Sequence, residues 1–325
     1  MVTIKKYTAA DKLLWDCFVK DSKNGTFLLM RDYMDYHADR FEDCSLMFFH
    51  NNKLIALLPL AERKDISTEV KPDPRTIISH PGLTYGGLIM NRHCTSGKVC
   101  EIFDALMAFM KEQGYSYLIY KAIPHDYHKY PSEEDLYALT AVCRAELSNR
   151  DISAVIDLSK PFPWRKGKHA NMTAAKREGI TVMESEDFAS FWQILEENLY
   201  TKYNSKPVHT LQEIVLLHKR FPHNIKLLLA EKEGKILSGA VLYITDTCVH
   251  VQYLNSSEEG NRHHCNELVI DYILNNYSHL HYFDYGTSAD NGTYGLNESL
   301  ISSKEGYGCR GIVYDTYKIK LCNNT

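Results

Sequence analysis

The residues best equipped for chemistry lie in the second half of this chain. Asp284 closes the aromatic strand His281-Tyr282-Phe283-Asp284-Tyr285. A carboxylate at a strand end can orient an amine or accept its proton, because sheet edges in α/β domains open towards ligands. It can equally cap the following loop, Gly286-Thr287-Ser288, through an Asx-type hydrogen bond. The phenols of Tyr253 and Tyr307 can donate to a carbonyl or a leaving group, although in a chain of 22 tyrosines a core tyrosine with a satisfied hydroxyl is the ordinary case. Gly260-Asn261-Arg262-His263 opens a helix, where cations and free backbone N–H groups suit phosphate; first-turn polar residues facing solvent share that composition. The stretch Trp164 to Glu178 carries Arg165, Lys166, Lys168, His169, Lys176 and Arg177 against a single acid. It reads either as a phosphate-binding face or as a solvated helix whose terminal cations complement the dipole.

Other chemistries find less support. His263-His264-Cys265 are adjacent, so on a helix they point in different directions, and no second ligand pair stands at zinc-like spacing; no metal is expected. Neither Cys248 nor Cys265 belongs to a Cys/His/Asn nucleophile signature. Nine cysteines scattered from Cys17 to Cys322 without a CxxC pair suit a reducing compartment.

Positioning these groups requires two domains, because one pattern is written twice. The first copy runs from Trp15 through Arg40-Phe41 to the strand Ser45–Phe49, an Asn51-Asn52 turn and the strand Leu54–Leu58. The second runs from Trp192 through Arg220-Phe221 to Lys226–Ala230, a Glu233-Gly234 turn and Ile236–Leu242. Each hairpin leads to another strand, an amphipathic helix and an aromatic strand, Tyr115–Tyr120 or His281–Tyr285. The helix Gly97 to Gln113 sets Val99, Ile102, Phe103, Leu106 and Met110 on one stripe and stops at Gly114; Cys265, Leu268, Val269, Tyr272 and Ile273 repeat the spacing. Pro124 to Glu134 reads as a loop entering a short helix, Glu133 to Glu146, and a strand Ala154–Leu158 opens the second half, so the expected domains are 1–152 and 153–325.

Bulk properties agree. The 325 residues, 44% hydrophobic and 24% charged, suffice for two ordinary cores. The net charge of -4 disfavours a chain coated for nucleic acid, and DNA is not an expected partner. The start Met1-Val2-Thr3-Ile4-Lys5-Lys6-Tyr7 lacks the apolar run of a signal peptide and no stretch is apolar for long enough to span a bilayer, which leads to the expectation of a soluble, cytoplasmic protein.

Arg165 to Val182, with Asn171, Ala174-Ala175-Lys176 and Glu178-Gly179-Ile180-Thr181-Val182, resembles the interdomain helix of the Fem family of peptidoglycan aminoacyltransferases. Phe283-Asp284-Tyr285-Gly286, Gly295-Leu296 and Lys304-Glu305-Gly306-Tyr307-Gly308 resemble that family's aspartate-glycine strand end and its closing Lys-x-Gly-aromatic-Gly element, so the likeness covers about residues 153 to 320. The resemblance implies two tandem GNAT-like domains, each a twisted mixed α/β sheet flanked by helices. It also implies transfer of an acyl or aminoacyl group from a thioester or a tRNA ester to an amine, with the acceptor in a cleft of the first domain or between domains, and no metal.

The sequence departs from an acetyl-coenzyme A enzyme where a glycine-rich turn would let backbone N–H groups approach a pyrophosphate. Arg92 to Lys98 has one glycine, and in Ser256 to His264 the carboxylates of Glu258 and Glu259 adjoin Gly260. On the resemblance, Lys304 stabilises negative charge, with Gly306 and Gly308 allowing close backbone approach; an exposed loop lysine beside Glu305 is its plainer role. Asp284, Tyr253 or Tyr307 would assist proton movement, and Gly260, Asn261, Arg262, His263, Arg165 and Lys168 would hold the donor. His80, Tyr85 and Gly86, in His80-Pro81-Gly82 and Tyr85-Gly86-Gly87, would border the acceptor, unless those glycines form only a bulge or tight turn. The expected activity is N-acyl transfer from acyl-coenzyme A to an amino group of a small molecule or peptidoglycan precursor. The alternatives are aminoacyl-tRNA-dependent transfer and a noncatalytic binding module.

Overall fold

The computed structural model describes residues 1–63, 75–289 and 294–321; Cys322 lies outside them. The chain divides into two compact units, Met1–Asp151 together with the chain from Val313 onward, and Ile152–Ile312. The last strand therefore does not belong with residues 153–312. Its Thr316–Lys320 pair antiparallel with Lys121–Tyr117, and Ile319 and Leu321 are buried among Val99, Phe103 and Leu106. That burial assigns it to the first unit's core.

The first unit contains β1 (Val2–Lys6), α1 (Lys12–Asp21), α2 (Arg31–Met34), β2 (Phe41–Asp43), β3 (Leu46–His50), β4 (Lys53–Leu58), β5 (Ala61–Arg63), β6 (Thr76–Ile78), β7 (Ile89–Met90), α3 (Ser96–Glu112), β8 (Tyr117–Lys121) and α4 (Glu134–Ala141). One sheet has the order β1-β3-β4-β7. In another, β6 lies parallel to β8 and antiparallel to β5, which pairs with β2. The β3–β4 hairpin turns on Asn51 and Asn52 with φ of 48° and 61°, the left-handed conformations that a two-residue turn between twisted strands demands and that asparagine tolerates. The stripe Val99, Ile102, Phe103, Leu106 and Met110 of α3 is buried, and the chain leaves the helix at Gly114 with φ of 77°. The helix expected to reach Glu146 ends at Ala141; the chain turns at Arg144, φ 49°, and is extended from Glu146.

That extended segment is β9 (Glu146–Asp157), and the second unit follows with α5 (Lys166–Arg177), β10 (Thr181–Ser185), α6 (Phe188–Tyr203), α7 (Leu211–Arg220), β11 (Ile225–Lys232), β12 (Lys235–Ile244), β13 (Cys248–Ser256), α8 (Glu258–Arg262), α9 (Cys265–Asn276), β14 (Tyr282–Thr287) and α10 (Glu298–Glu305); β15 (Arg310–Lys320) comes last and from Val313 belongs to the first unit. The strands run β10-β11-β12-β13-β14-β9. The β11–β12 hairpin again turns on two positive φ values, Glu233 at 52° and Gly234 at 80°. Strand alternation divides the residues between two faces. Ala240 and Leu242 of β12, Val249 and Val251 of β13 and Phe283 of β14 form a core with Cys265, Leu268, Val269 and Ile273 of α9. Gly239, of opposite parity, lies under Phe191 of α6. The α9 face is thus a filled core, and the chemistry described next lies on the α6 face.

Candidate active site

The second unit's sheet contains a fork. Strand β13 is antiparallel to β12 along its length, Ile244↔Val249 through Ser238↔Ser256, but its parallel pairing with β14 lasts only from Cys248↔Tyr282 to His250↔Asp284. Among the described residues, the β14-side edge of β13 has no strand partner beyond His250, since β14 follows β9 instead, with a register shift between Asp284 and Thr287 and a left-handed turn at Gly286, φ 83°. An unpaired strand edge presents backbone N–H and C=O groups that an extended ligand can meet.

At the last paired register the two strands join an imidazole to a carboxylate. Asp284 has no exposed surface. Its Oδ1 accepts from Ser153 Oγ at 2.5 Å and from the Gly286 N–H at 2.8 Å, and its Oδ2 lies 2.7 Å from His250 Nδ1. Of the two readings of Asp284 from sequence, the loop cap is the one visible in this geometry. The Asx-type bond to Gly286 is present, and the enclosed carboxylate meets His250 at the fork. Among the described residues, His250 Nε2 has no hydrogen-bond partner. Sequence reasoning passed over His250. The signal available was a histidine between two apolar residues in Val249-His250-Val251, which a strand turns away from the core, but the register that sets it beside Asp284 is not written locally.

A register shift between Val241↔Tyr253 and Leu242↔Val251 adds one residue to β13. A bulge of this kind re-aims side chains, here bringing Tyr253, three residues from His250, to the same face. The rings form a file, with centroid separations of 6.5 Å for His250 to Tyr243, 6.5 Å for Tyr243 to His209 and 5.9 Å for His209 to Tyr253. Tyr253 Oη is 2.7 Å from His209 Nδ1 and accepts from the His209 N–H at 3.2 Å, and burial raises its pKa. Trp192 of α6 packs edge-on against it at 5.4 Å.

Lys304 is not a loop residue. It occupies the last turn of α10 with 6% exposure, and its Nζ donates to the carbonyls of Gly286 at 2.8 Å and Thr287 at 2.9 Å. The ammonium lies 5.3 Å from the centroid of Tyr285, and burial lowers its pKa to about 8 against the opposing pull of Asp284. Gly286 links the two groups, its N–H going to Asp284 and its carbonyl to Lys304. Tyr307 is engaged elsewhere. Its hydroxyl accepts from Lys168 Nζ at 3.0 Å, Lys168 also pairs with Glu267 at 3.1 Å, and burial raises the phenol's pKa far above its usual value. Arg165, half exposed, reaches Ser302 at 3.1 Å and Glu305 at 3.9 Å.

The turn after β13 is more committed to structure than its composition suggests. Ser257 caps the five-residue α8 by accepting the Gly260 N–H at 3.0 Å, and Gly260 is pressed against the Leu237 carbonyl so closely that a Cβ would collide. Asn261 donates to the Ser256 carbonyl at 3.4 Å, His263 pairs with Glu178, and Glu259 with Lys235. Arg262 is an exposed cation at the end of α8. His264, φ 57°, separates α8 from α9.

In the first unit, His80, Tyr85 and Gly86 lie together but inside the protein. His80, at φ 51°, stacks on His37 at 5.0 Å and meets Phe41 edge-on at 5.8 Å; burial, His37, Arg31 and Lys121 lower its pKa to about 3. The Tyr85 hydroxyl shares a 3.0 Å hydrogen bond with Thr26, and Gly86 sits against the Ser79 carbonyl. A cavity of about 530 Å³ adjoins the turn after β7, bordered by Arg92, Thr95, Ser96 and Tyr130 and by the ion pair Lys23–Glu134. Among the described residues no group of three His, Cys, Asp or Glu side chains is arranged to hold a metal, and no helix is long and apolar enough to cross a membrane.

No protein-family model and no curated protein matches the chain. Solved structures do. FemX superposes with a TM-score of 0.68 at 11% identity, covering 98% of this chain and 97% of that one. L-PGS from Bacillus licheniformis gives 0.60 at 12%, covering 98% and 94%, and a tandem GNAT protein from the clavulanic acid biosynthesis pathway gives 0.50 at 10%, covering all of both chains. At these identities the likeness is one of fold: this is an α+β chain with the mixed sheet and flanking helices of the Fem-like and tandem GNAT proteins.

Proposed function

We propose that the chain is an N-acyltransferase that receives an activated acyl donor at the β13–β14 fork and passes the acyl group to an amine of a small molecule or cell-envelope precursor. The observation that carries this reading is the fork itself, a strand edge unpaired among the described residues that begins beside His250 and Asp284 and near the buried ammonium of Lys304. An extended donor lying along β13 can exchange hydrogen bonds with its backbone, bringing the activated carbonyl to the strand junction. Lys304 spends two N–H bonds on Gly286 and Thr287, and its remaining N–H and positive charge favour the oxyanion of the tetrahedral intermediate. Arg262 is the cation near the far end of β13 for a phosphate-bearing donor, and the preferred donor is acyl-coenzyme A.

Thermal unfolding of the full chain tests the donor. A thioester present at 100 times its Kd raises stability by about 2.7 kcal/mol. Acetyl-coenzyme A, an aminoacyl-tRNA and a nucleotide-linked peptidoglycan precursor should be tried side by side, and the reading fails if no thioester or aminoacyl ester stabilises the fold. Lys304→Ala should slow thiol release from acetyl-coenzyme A about 100-fold.

A tRNA-dependent version of the same reaction has one observation in its favour. Lys168 and Lys176 are paired with Glu267 and Asp271, but Arg165, Lys166, His169 and Arg177 leave α5 and its first turn an exposed basic strip. Activity that falls steeply with salt marks this version, because tRNA binding releases counterions.

A further inference from the structure

We propose that His250 is the base that neutralises the amine acceptor, and that Asp284 is a positioning residue that fixes which imidazole nitrogen does so. The proposal rests on the acyl-transfer reading of the same fork and adds the group that makes the nucleophile. It replaces Asp284 as the direct proton acceptor, because a fully buried carboxylate with donors on both oxygens offers nothing to an incoming amine.

The geometry determines the tautomer. Asp284 Oδ2 is an acceptor 2.7 Å from His250 Nδ1, so the proton of the neutral ring sits on Nδ1 and the lone pair on Nε2. Asp284 itself cannot swing away, since Ser153 and the Gly286 N–H hold its other oxygen. Nε2, without a protein partner among the described residues, belongs to a ring on the last paired residue of β13, where the strand edge becomes available. A base here stands at the point where a donor laid along that edge would present its carbonyl. The groups around the ring are Asp284 on β14, Tyr243 on β12 and, through the Gly286 peptide, Lys304 on α10.

The step balances as follows. An alkylammonium acceptor gives one proton to His250 Nε2, and the imidazolium passes it to water. The freed lone pair forms the C–N bond at the donor carbonyl. The C–S bond of a thioester, or the C–O bond of an ester, then breaks with its electron pair on the departing atom, which takes the second proton from nitrogen. Nothing is oxidised or reduced and no co-reactant is needed.

Two measurements decide the matter. In the full chain labelled with ¹⁵N-histidine, long-range ¹H–¹⁵N spectra should show neutral His250 protonated on Nδ1. In Asp284→Asn, Ser153 and Gly286 retain the amide oxygen, so the amide NH₂ faces Nδ1 and forces the proton onto Nε2. An Nε2–H tautomer in the unmodified protein, or an unchanged tautomer in the variant, overturns the proposal. This readout uses no substrate and is independent of whether the donor has been identified correctly.

The second measurement follows thiol release from acetyl-coenzyme A with a panel of primary alkylamines and with hydroxylamine, whose nitrogen is already unprotonated at neutral pH. His250→Gln and Asp284→Asn should each lower kcat with alkylamines about 100-fold while sparing hydroxylamine. Equal losses with both nucleophiles would make His250 structural. Failure of the unmodified protein with every nucleophile would count against the thioester donor and leave the tautomer to decide the dyad. Asp284→Asn, close to isosteric, keeps the test usable should His250→Gln fold poorly.

Discussion

Both units place a histidine at the end of a short parallel strand pair, and the two histidines have opposite circumstances. In the first unit β6 and β8 pair through Ile78, and two residues on His80 is enclosed beside His37 and Phe41, its Nδ1 lacking a hydrogen-bond partner among the described residues. In the second unit β13 and β14 pair through His250, whose Nδ1 is held by an enclosed carboxylate and whose Nε2 has no hydrogen-bond partner among the described residues. Burial without a partner suppresses an imidazole's charge, whereas a fixed acceptor on one nitrogen prepares the other for proton transfer. The two units thus share a short parallel strand pair, while the register of one acidic residue separates an enclosed ring from one with a fixed acceptor on Nδ1.

The largest effect that would sharpen this contrast is in the acid stability of the first unit. His80 has a folded pKa of about 3 against 6.5 when unfolded, so between these values the unfolded chain binds a proton that the native state refuses. Stability is therefore lost as pH falls from 6.5 towards 3. His80→Phe removes that loss, and the difference in unfolding free energy between unmodified protein and variant should change by roughly 4 kcal/mol across the window. The constant cost of a phenyl group at positive φ cancels in that difference. Parallel pH dependences for the two proteins would mean that His80 reaches solvent or has a partner.

Lys304 gives the next effect, at the alkaline end of the scale. Its folded pKa of about 8 lies below the ordinary 10.5, so the charged form carries a penalty below pH 8 that is relieved as pH rises from 8 to 10.5. Relative to Lys304→Met, the unmodified protein should gain roughly 3 kcal/mol over that interval in denaturant titrations. No relative gain would place the ammonium in water, and the Gly286 and Thr287 carbonyls could not then be its main partners.

These expectations show which parts of the molecule were legible in the sequence. The paired hairpins could be read because their turns need residues that tolerate positive φ, and Asn51-Asn52 and Glu233-Gly234 supply them. The stripes of α3 and α9 could be read because burial imposes a 3.6-residue period. The last strand's place in the first unit could not, since its partner β8 lies far back in the chain and local composition carries no record of long-range pairing. His250 escaped for the same reason, needing both the β13–β14 register and the bulge in β13 to acquire its neighbours. Asp284, Lys304 and Tyr307 were identifiable as residue types in a familiar order, but composition could not show that Tyr307 is tied to Lys168 or that Lys304 is enclosed.

The smallest effect tests whether corresponding turns do corresponding work. Each copy has one glycine where its strand passes into its helix, Gly97 before the body of α3 and Gly260 in α8. A Cβ on Gly97 meets nothing within 4 Å, so Gly97→Ala should stabilise the protein by about 0.5–1 kcal/mol through the reduced entropy of the unfolded chain. At Gly260 the same methyl runs into the Leu237 carbonyl, a backbone atom that cannot rotate aside, and Gly260→Ala should cost about 1–3 kcal/mol. Opposite signs in thermal unfolding would establish Gly260 as a packing residue that holds the short helix against β12. If instead Gly260→Ala leaves stability unaltered but abolishes stabilisation by acetyl-coenzyme A, the glycine is present for the donor, and the two turns differ in ligand rather than in packing.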